Sequence, residues 1–237
     1  MADVLLEREG PIAWLRMNRP EAHNAFSREM MALMADQVHQ LASDSDARVA
    51  ILCGSGPSFS TGLDVKELAR GELEVAFFIA WNRMMRSLRE LPIPLIALIH
   101  GHCLGGGTML TLEADYRLAS DDLRIGLGAL RLGILPGTAP EVLPSIVGAA
   151  TARRLCLFAE YVDADEALRI GLVDRVVPRE SLESAARELA ERVLGFSASA
   201  LRECKALLAR ARTLDADGYE RAFREAQQRC LDDRDPG

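Results

Sequence analysis

Residues 95–113 read LIALIHGHCLGGGTMLTLE and carry the strongest fold signal in the chain. The run Leu95–His100 predicts a strand buried on both faces, and the residues after the glycines predict a helix to about Glu113. Three consecutive glycines at a helix N-terminus let backbone N–H groups approach a ligand without a Cβ in the way, and the helix dipole adds partial positive charge there. The stretch therefore predicts a site for an anion or a developing oxyanion. The same glycines would also permit a close crossing of strand and helix, and the stretch alone leaves that alternative open.

Length and composition favour one soluble domain. The chain has 237 residues, 49% of them hydrophobic and 27% charged, which matches a globular protein and excludes a disordered one. A formal net charge of −7 argues against a general nucleic-acid binder. We expect no membrane segment, because the longest apolar run, Leu91–Ile99, is interrupted by prolines and is far shorter than the roughly 20 residues of a span. Five scattered cysteines without a CxxC pair predict a reduced, cytoplasmic protein without a metal site.

The first half of the chain alternates predicted strands and helices, and the last third, from Ala149, is predicted to be mostly helical. The predicted strands are a hairpin of Val4–Glu9 and Ile12–Met17, then Val49–Cys53, Leu95–His100 and Tyr116–Ser120. The predicted helices run from a Ser27 cap to about Leu41 and then over residues 64–70 and 73–91. Prolines and glycines predict a loop-rich segment at residues 126–148. The best boundary lies at residues 177–180, between an α/β core of residues 1–178 and a helical C-terminal region of residues 179–237.

Motifs of several common enzyme classes are absent from the sequence. It contains no GxxxxGK[ST] phosphate loop, and Gly126 and Gly128 lack the third glycine of a GxGxxG fingerprint. It also contains no GxSxG nucleophile motif. These absences count against a nucleotide-binding enzyme and a serine hydrolase.

A second loop, residues 58–68 (SFSTGLDVKEL), follows the predicted strand Val49–Cys53. Together with the glycine loop, it resembles the crotonase (enoyl-CoA hydratase/isomerase) superfamily, and the resemblance extends over roughly residues 4–230. The other stretches that carry it are residues 18–25 (NRPEAHNA), 101–107 (GHCLGGG), 114–117 (ADYR), 132–137 (LGILPG) and 164–178 (ADEALRIGLVDRVVP). Their order and joint occurrence make the resemblance specific.

The resemblance implies a fold and a chemistry. The fold is a spiral of β-β-α turns with a helical C-terminal region that builds trimers, which often pair into hexamers. The substrates are acyl-CoA thioesters or acyl-carrier thioesters, so that no separate cofactor is needed beyond the CoA that the substrate carries. The oxyanion-hole N–H groups match Leu63 and Gly106. The segments that hold CoA match Ala22, Asn24, Ala25, Gly62, Asp64, Val65, Lys66, Leu104 and Gly105.

The sequence departs from the family pattern at both positions where hydratases carry a glutamate. These positions are Met109, two residues after the triple glycine, and Ala129, four residues before Gly133. Neither side chain can transfer a proton, and such help is worth about 10²–10⁴-fold in rate. We therefore expect chemistry other than ordinary hydration.

Replacement groups are available in the sequence. Glu141 is a weak candidate for handling a proton, and an acid favoured by the dipole in a first helical turn is the simpler interpretation. Glu113 shares a helix face with Met109, and His102 precedes the glycines; a bonded carboxylate and a packed histidine are the simpler interpretations. Decarboxylation or thioester hydrolysis remains an alternative activity, and so does a non-catalytic acyl-CoA-binding partner subunit.

Overall fold

The computed structural model of the protein describes residues 2–211 and 213–233. Over these residues the strands are β1 (Val4–Glu9), β2 (Ile12–Met17), β3 (Val49–Gly54), β4 (Leu95–Ile99), β5 (His102–Leu104), β6 (Tyr116–Ser120), β7 (Arg124–Gly126), β8 (Tyr161–Asp163) and β9 (Arg175–Val177). The helices are α1 (Arg28–Ala42), α2 (Val65–Ala69), α3 (Val75–Arg89), α4 (Gly106–Leu112), α5 (Ala139–Val147), α6 (Ala149–Leu157), α7 (Ala164–Arg169), α8 (Leu182–Leu194), α9 (Ala198–Arg210) and α10 (Ala216–Asp232).

The strands form two sheets. Within the described residues, the large sheet has the order β1-β2-β3-β4-β6-β9 and the small sheet the order β5-β7-β8. The hairpin of β1 and β2 is confirmed, and the strands from β2 to β9 of the large sheet pair in parallel. Every residue of β3 and β4 is buried, because apolar clusters cover both faces of the sheet. Leu52 packs in the cluster of α1 and α3, and its neighbour Ile51 packs in the cluster of α8, as expected for a parallel sheet between helical layers.

The chain passes repeatedly from the large sheet to the small one, and this alternation produces the β-β-α turns that the resemblance implied. β4 is followed by β5 and α4, and β6 is followed by β7 and then by α5 and α6. The mixed α/β architecture with a helical C-terminal region agrees with the predicted fold class. The sequence pattern did not predict β5, because three residues next to glycines carry no periodic signal. β5 forms through distant partners: β7, and Ser60 bridging to Cys103.

The prediction of a loop-rich segment over residues 126–148 is wrong for its second half, which forms α5. Pro140 lies in the first turn of α5, where the missing N–H would have had no intrahelical acceptor. Pro144 lies inside the helix, and burial of Ala139 and Leu143 in the core outweighs the local signal. The two short strands β8 and β9 also interrupt the region predicted to be mostly helical.

The C-terminal helices pack in two different ways. α8 lies against β3, β4 and β6, so that Leu182 and Ala186 share an apolar cluster with Ile51. α9 and α10 pack against each other and leave Leu208 and Phe223 exposed. The predicted boundary at residue 178 and the predicted trimer stay predictions. Among the residues that the structure describes, no helix has the length and apolar character needed to cross a membrane.

Candidate active site

The turn from β4 through β5 into α4 fixes the position of the glycine loop. The N–H of Leu104 donates to the carbonyl of Ser60 at 2.9 Å, and the N–H of Gly105 donates to the carbonyl of Gly126 at 2.8 Å. Gly105 has φ +53°, a conformation that residues with a Cβ rarely adopt. Gly106 is the first residue of α4, so its N–H is one of the amide groups that a helix leaves without an intrahelical acceptor.

The second loop presents Leu63 by pairing with the residues around it. Phe26 and Leu63 form an isolated parallel bridge, in which the N–H of Phe26 donates to Gly62 and the N–H of Asp64 donates to Phe26. In such a bridge the N–H of Leu63 itself points away from Phe26. Within residues 2–211 and 213–233, neither the Leu63 N–H nor the Gly106 N–H donates a hydrogen bond to the protein.

The two loops meet at a contact between Gly62 and Gly106. A Cβ on Gly62 would lie 2.6 Å from the amide nitrogen of Gly106 and 2.7 Å from the carbonyl oxygen of Leu104. Gly62 also has φ +87°. Glycine at residue 62 therefore serves two purposes: it permits the turn, and it lets the loop that bears Leu63 lie directly against the start of α4.

A cavity of about 40 Å³, here called the apolar slot, opens next to these two amides. Its lining consists of Leu63, Phe77, Phe78, Trp81, Gly106, Met109, Ala129, Ile134, Leu135 and Gly137. Four residues singled out in the sequence, Leu63, Gly106, Met109 and Ala129, thus come together. The aromatic side chains Phe77, Phe78 and Trp81, here called the aromatic wall of α3, were not predicted to belong to the site. The spacing of Phe77 and Trp81 on one helix face was a usable signal.

Trp81 forms a rigid side of the apolar slot. Its ring makes an edge-to-face contact with Phe26 at a centroid distance of 4.9 Å and stacks on Phe77 at 6.4 Å. A Cβ on Gly106 would lie 2.9 Å from Trp81 Cζ2, so the indole lies directly beside the start of α4. Met109, 5% exposed, also lines the apolar slot and contacts Gly137.

The residues predicted to hold CoA differ in solvent exposure. Asn24 is fully buried, and its side-chain amide donates to the carbonyl groups of Ser55, Ser58 and Phe59. Its side chain therefore holds the loops together. Val65 and Lys66 are exposed at the start of α2, and Ala22, Ala25, Leu104 and Gly105 are half-buried.

Asp64 is a buried carboxyl with two partners. It accepts a hydrogen bond from Arg19 Nη1 at 2.9 Å and caps α2 by accepting from the N–H of Lys66 at 3.0 Å. Burial by itself raises the pKa of Asp64, but these hydrogen bonds outweigh burial and lower the net pKa below its usual value. Asp64 therefore stays ionised and fixes the entry into α2.

Glu141 lies outside the apolar slot. It stands in the first turn of α5, where its carboxylate, with the side chain 52% exposed, pairs with Arg89 at 3.3 Å and Arg86 at 3.5 Å. Glu113 is fully buried and paired with Arg89 at 2.6 Å. Proton handling by Glu141 stays a prediction, and this position gives it no support.

The two histidines beside the glycine loop have different surroundings. His102 is exposed and meets His23 edge to face at 6.5 Å. His100 is buried, and its Nε2 lies 3.2 Å from the carbonyl oxygen of Gly56. Burial, with a smaller effect from Arg179, lowers the pKa of His100 to about 4. Among the described residues, no cluster of three or more His, Cys, Asp or Glu side chains is arranged as metal ligands.

Comparison with known proteins identifies the family of the chain. The model of the Enoyl-CoA hydratase/isomerase family matches residues 7–233. The chain belongs to the enoyl-CoA hydratase/isomerase family. The chain is 34% identical to the short-chain-enoyl-CoA hydratase of Clostridium acetobutylicum, and the alignment covers 98% of this chain and 91% of that protein. It is 32% identical to the crotonyl-CoA hydratase of Syntrophomonas wolfei over 96% of this chain and 92% of that protein.

Superposition on solved structures confirms that this chain has the predicted fold, that of the enoyl-CoA hydratase/isomerase family. An enoyl-CoA hydratase from Bacillus anthracis superposes with a TM-score of 0.92 at 28% identity, covering 99% of this chain and 93% of that one. A putative enoyl-CoA hydratase from Thermobifida fusca, solved in complex with acetoacetyl-CoA, superposes with a TM-score of 0.90 at 30% identity, covering 98% of this chain and 96% of that one. The resemblance read from the sequence motifs is thereby confirmed.

Proposed function

We propose that this protein binds acyl-CoA thioesters and polarises the thioester carbonyl with the N–H groups of Leu63 and Gly106. The observation that carries the proposal is the contact of two loops that each present one unused backbone N–H beside the apolar slot. Each such donor is worth about 3 kcal/mol of stabilisation for a developing oxyanion. The complex of the Thermobifida fusca relative with acetoacetyl-CoA supports the choice of ligand. CoA arrives with the substrate, so the proposed reaction needs no separate cofactor.

We further propose that the reaction is not ordinary hydration. Met109 and Ala129 line the apolar slot, and no Asp, Glu, His, Lys or Arg contributes to the lining within the described residues. A water molecule there would have no side chain to remove its proton. Enolate stabilisation by backbone N–H groups does not need such a group, whereas proton transfer does.

Mass spectrometry of the purified protein incubated with a panel of thioesters tests the reaction class. The panel contains crotonyl-CoA, a 3-hydroxyacyl-CoA, a β-carboxyacyl-CoA and an aryl-CoA. We expect an isomerised, decarboxylated or hydrolysed product from one of them and little hydration of crotonyl-CoA. Rapid hydration of crotonyl-CoA would show that groups other than side chains at residues 109 and 129 supply the acid and base. Binding of CoA without any turnover would favour a non-catalytic role.

A matched pair of variants tests the interpretation of Met109. Met109→Glu places a carboxylate in the apolar slot, and Met109→Gln places an amide of almost the same size there. We expect the Glu variant, and not the Gln variant, to gain about 10²-fold in crotonyl-CoA hydration, because only a carboxylate transfers protons. Equal rates in both variants would contradict the proposal.

We also propose assembly into a trimer or a pair of trimers through the C-terminal helices. The exposed apolar side chains of α9 and α10, such as Leu208 and Phe223, support this proposal. Light scattering coupled to size-exclusion chromatography measures the mass directly, and a monomer of 25.9 kDa would contradict it.

A further inference from the structure

Glu113 is the one fully buried carboxylate of the α4 segment, and the proposed chemistry does not use it. Its side chain is 0% exposed, and it follows the last residue of α4, four positions after Met109. Burying a carboxylate is energetically unfavourable unless partners compensate. The partners that Glu113 has therefore indicate why the chain keeps a carboxylate there.

Those partners come from two other elements that border the apolar slot. One carboxylate oxygen accepts from Arg89 Nε at 2.6 Å, and the other accepts from Thr138 Oγ1 at 2.8 Å. Arg89 ends α3, the helix that carries the aromatic wall. Thr138 directly follows Gly137, which contacts the Met109 side chain. One carboxylate thus joins α3, α4 and the turn at residues 136–138.

Thr138 bonds to Glu113 in place of the capping hydrogen bond that its position would ordinarily favour. Thr138 occupies the N-cap position of α5, where a threonine hydroxyl ordinarily accepts from a backbone N–H of the first turn. Here the side chain makes no capping hydrogen bond, and the buried hydroxyl donates to Glu113. The Thr138 hydroxyl therefore links the turn at Gly137 to the end of α4 instead of capping α5.

We propose that Glu113 is a positioning residue that, through Thr138, holds Gly137 against Met109 and so sets the distance between the end of the apolar slot and Gly106. This inference rests on the proposed function, because it assigns the apolar slot to the acyl group of a CoA thioester. Groups that bind a reacting ligand must be held within about 0.5 Å of their working positions. Release of the Gly137 turn would disturb the acyl end of the ligand and leave the CoA end unaffected.

Thr138→Val tests the link without removing a charge. It keeps the side-chain shape and leaves Glu113 paired with Arg89, so the variant should fold. Thr111→Val is the matched control, because the buried hydroxyl of Thr111 donates within α4 itself, to the carbonyl of Thr108 at 2.7 Å. Isothermal titration calorimetry with free CoA and with butyryl-CoA, a saturated thioester, measures the two ends of the ligand separately.

We expect Thr138→Val to weaken butyryl-CoA binding by about tenfold and to leave CoA binding unchanged. Thr111→Val should keep the wild-type ratio of the two affinities, even if it lowers the melting temperature as much. An unchanged ratio in Thr138→Val, or an equal change in Thr111→Val, would overturn the positioning role alone. If wild-type protein binds neither CoA nor butyryl-CoA, the proposed function fails and this inference fails with it.

Discussion

Substitution of Gly62 by alanine tests whether the contact between the two loops builds the site. The new Cβ would lie 2.6 Å from the Gly106 nitrogen and 2.7 Å from the Leu104 oxygen, both of which are backbone atoms that cannot rotate away. The positive φ of +87° adds strain of about 1–2 kcal/mol for a residue with a Cβ. Displacing the packed backbone adds about 1–3 kcal/mol. The expected loss of stability is therefore about 2–5 kcal/mol.

Gly71→Ala separates the two contributions, because Gly71 has φ +71° but open space where its Cβ would lie. Thermal unfolding should place the melting temperature of Gly62→Ala roughly 2–12 °C below that of Gly71→Ala, given about 2–4 °C per kcal/mol for a chain of this size. Turnover of the reactive thioester should fall about 10²-fold in Gly62→Ala alone, since the two N–H groups are pushed apart. Equal melting temperatures and equal turnover in the two variants would refute the argument.

Three further predictions concern stability and reactivity. Asn24→Ala should lower the free energy of unfolding by about 2–4 kcal/mol in chemical denaturation, because it leaves the buried carbonyl groups of Ser58 and Phe59 without this donor. A change below about 1 kcal/mol would argue against the role of this side chain in holding the loops together. The pKa of His100 is lowered from 6.5 to about 4, so the folded state resists protonation of this side chain. The free energy of unfolding should therefore fall by about 3 kcal/mol as the pH drops from about 6.5 to about 4. His100→Gln should lose this part of the pH dependence of the melting temperature, and an unchanged profile would contradict the prediction. Burial raises the pKa of Cys53 to about 12 and also raises that of Cys103, so iodoacetamide at pH 8 should label neither thiol in the folded protein and both after denaturation, which peptide mass spectrometry would show.

Much of the large sheet is predictable because its signals are local. The hairpin at β1 and β2, the Ser27 cap of α1 and the buried runs at β3 and β4 all occur where the sequence pattern placed them. A cap, a turn or a continuous apolar run needs only neighbouring residues to identify it. The small sheet and α5 were missed, because β5 depends on partners more than twenty residues away and α5 contains two prolines whose cost is offset by burial.

The sequence alone identifies the family and the two loops with their glycines, and it has Met109 and Ala129 where the family resemblance implies glutamates. Glycine positions and side-chain chemistry are properties of single residues and their spacing, so they can be read directly. The three-dimensional structure was needed to show that the Leu63 loop lies against Gly106, that α3 supplies an aromatic wall, and that Glu113 and Glu141 are both paired with Arg89. Those facts depend on contacts between residues far apart in the chain, which packing of the whole core establishes and no local pattern encodes.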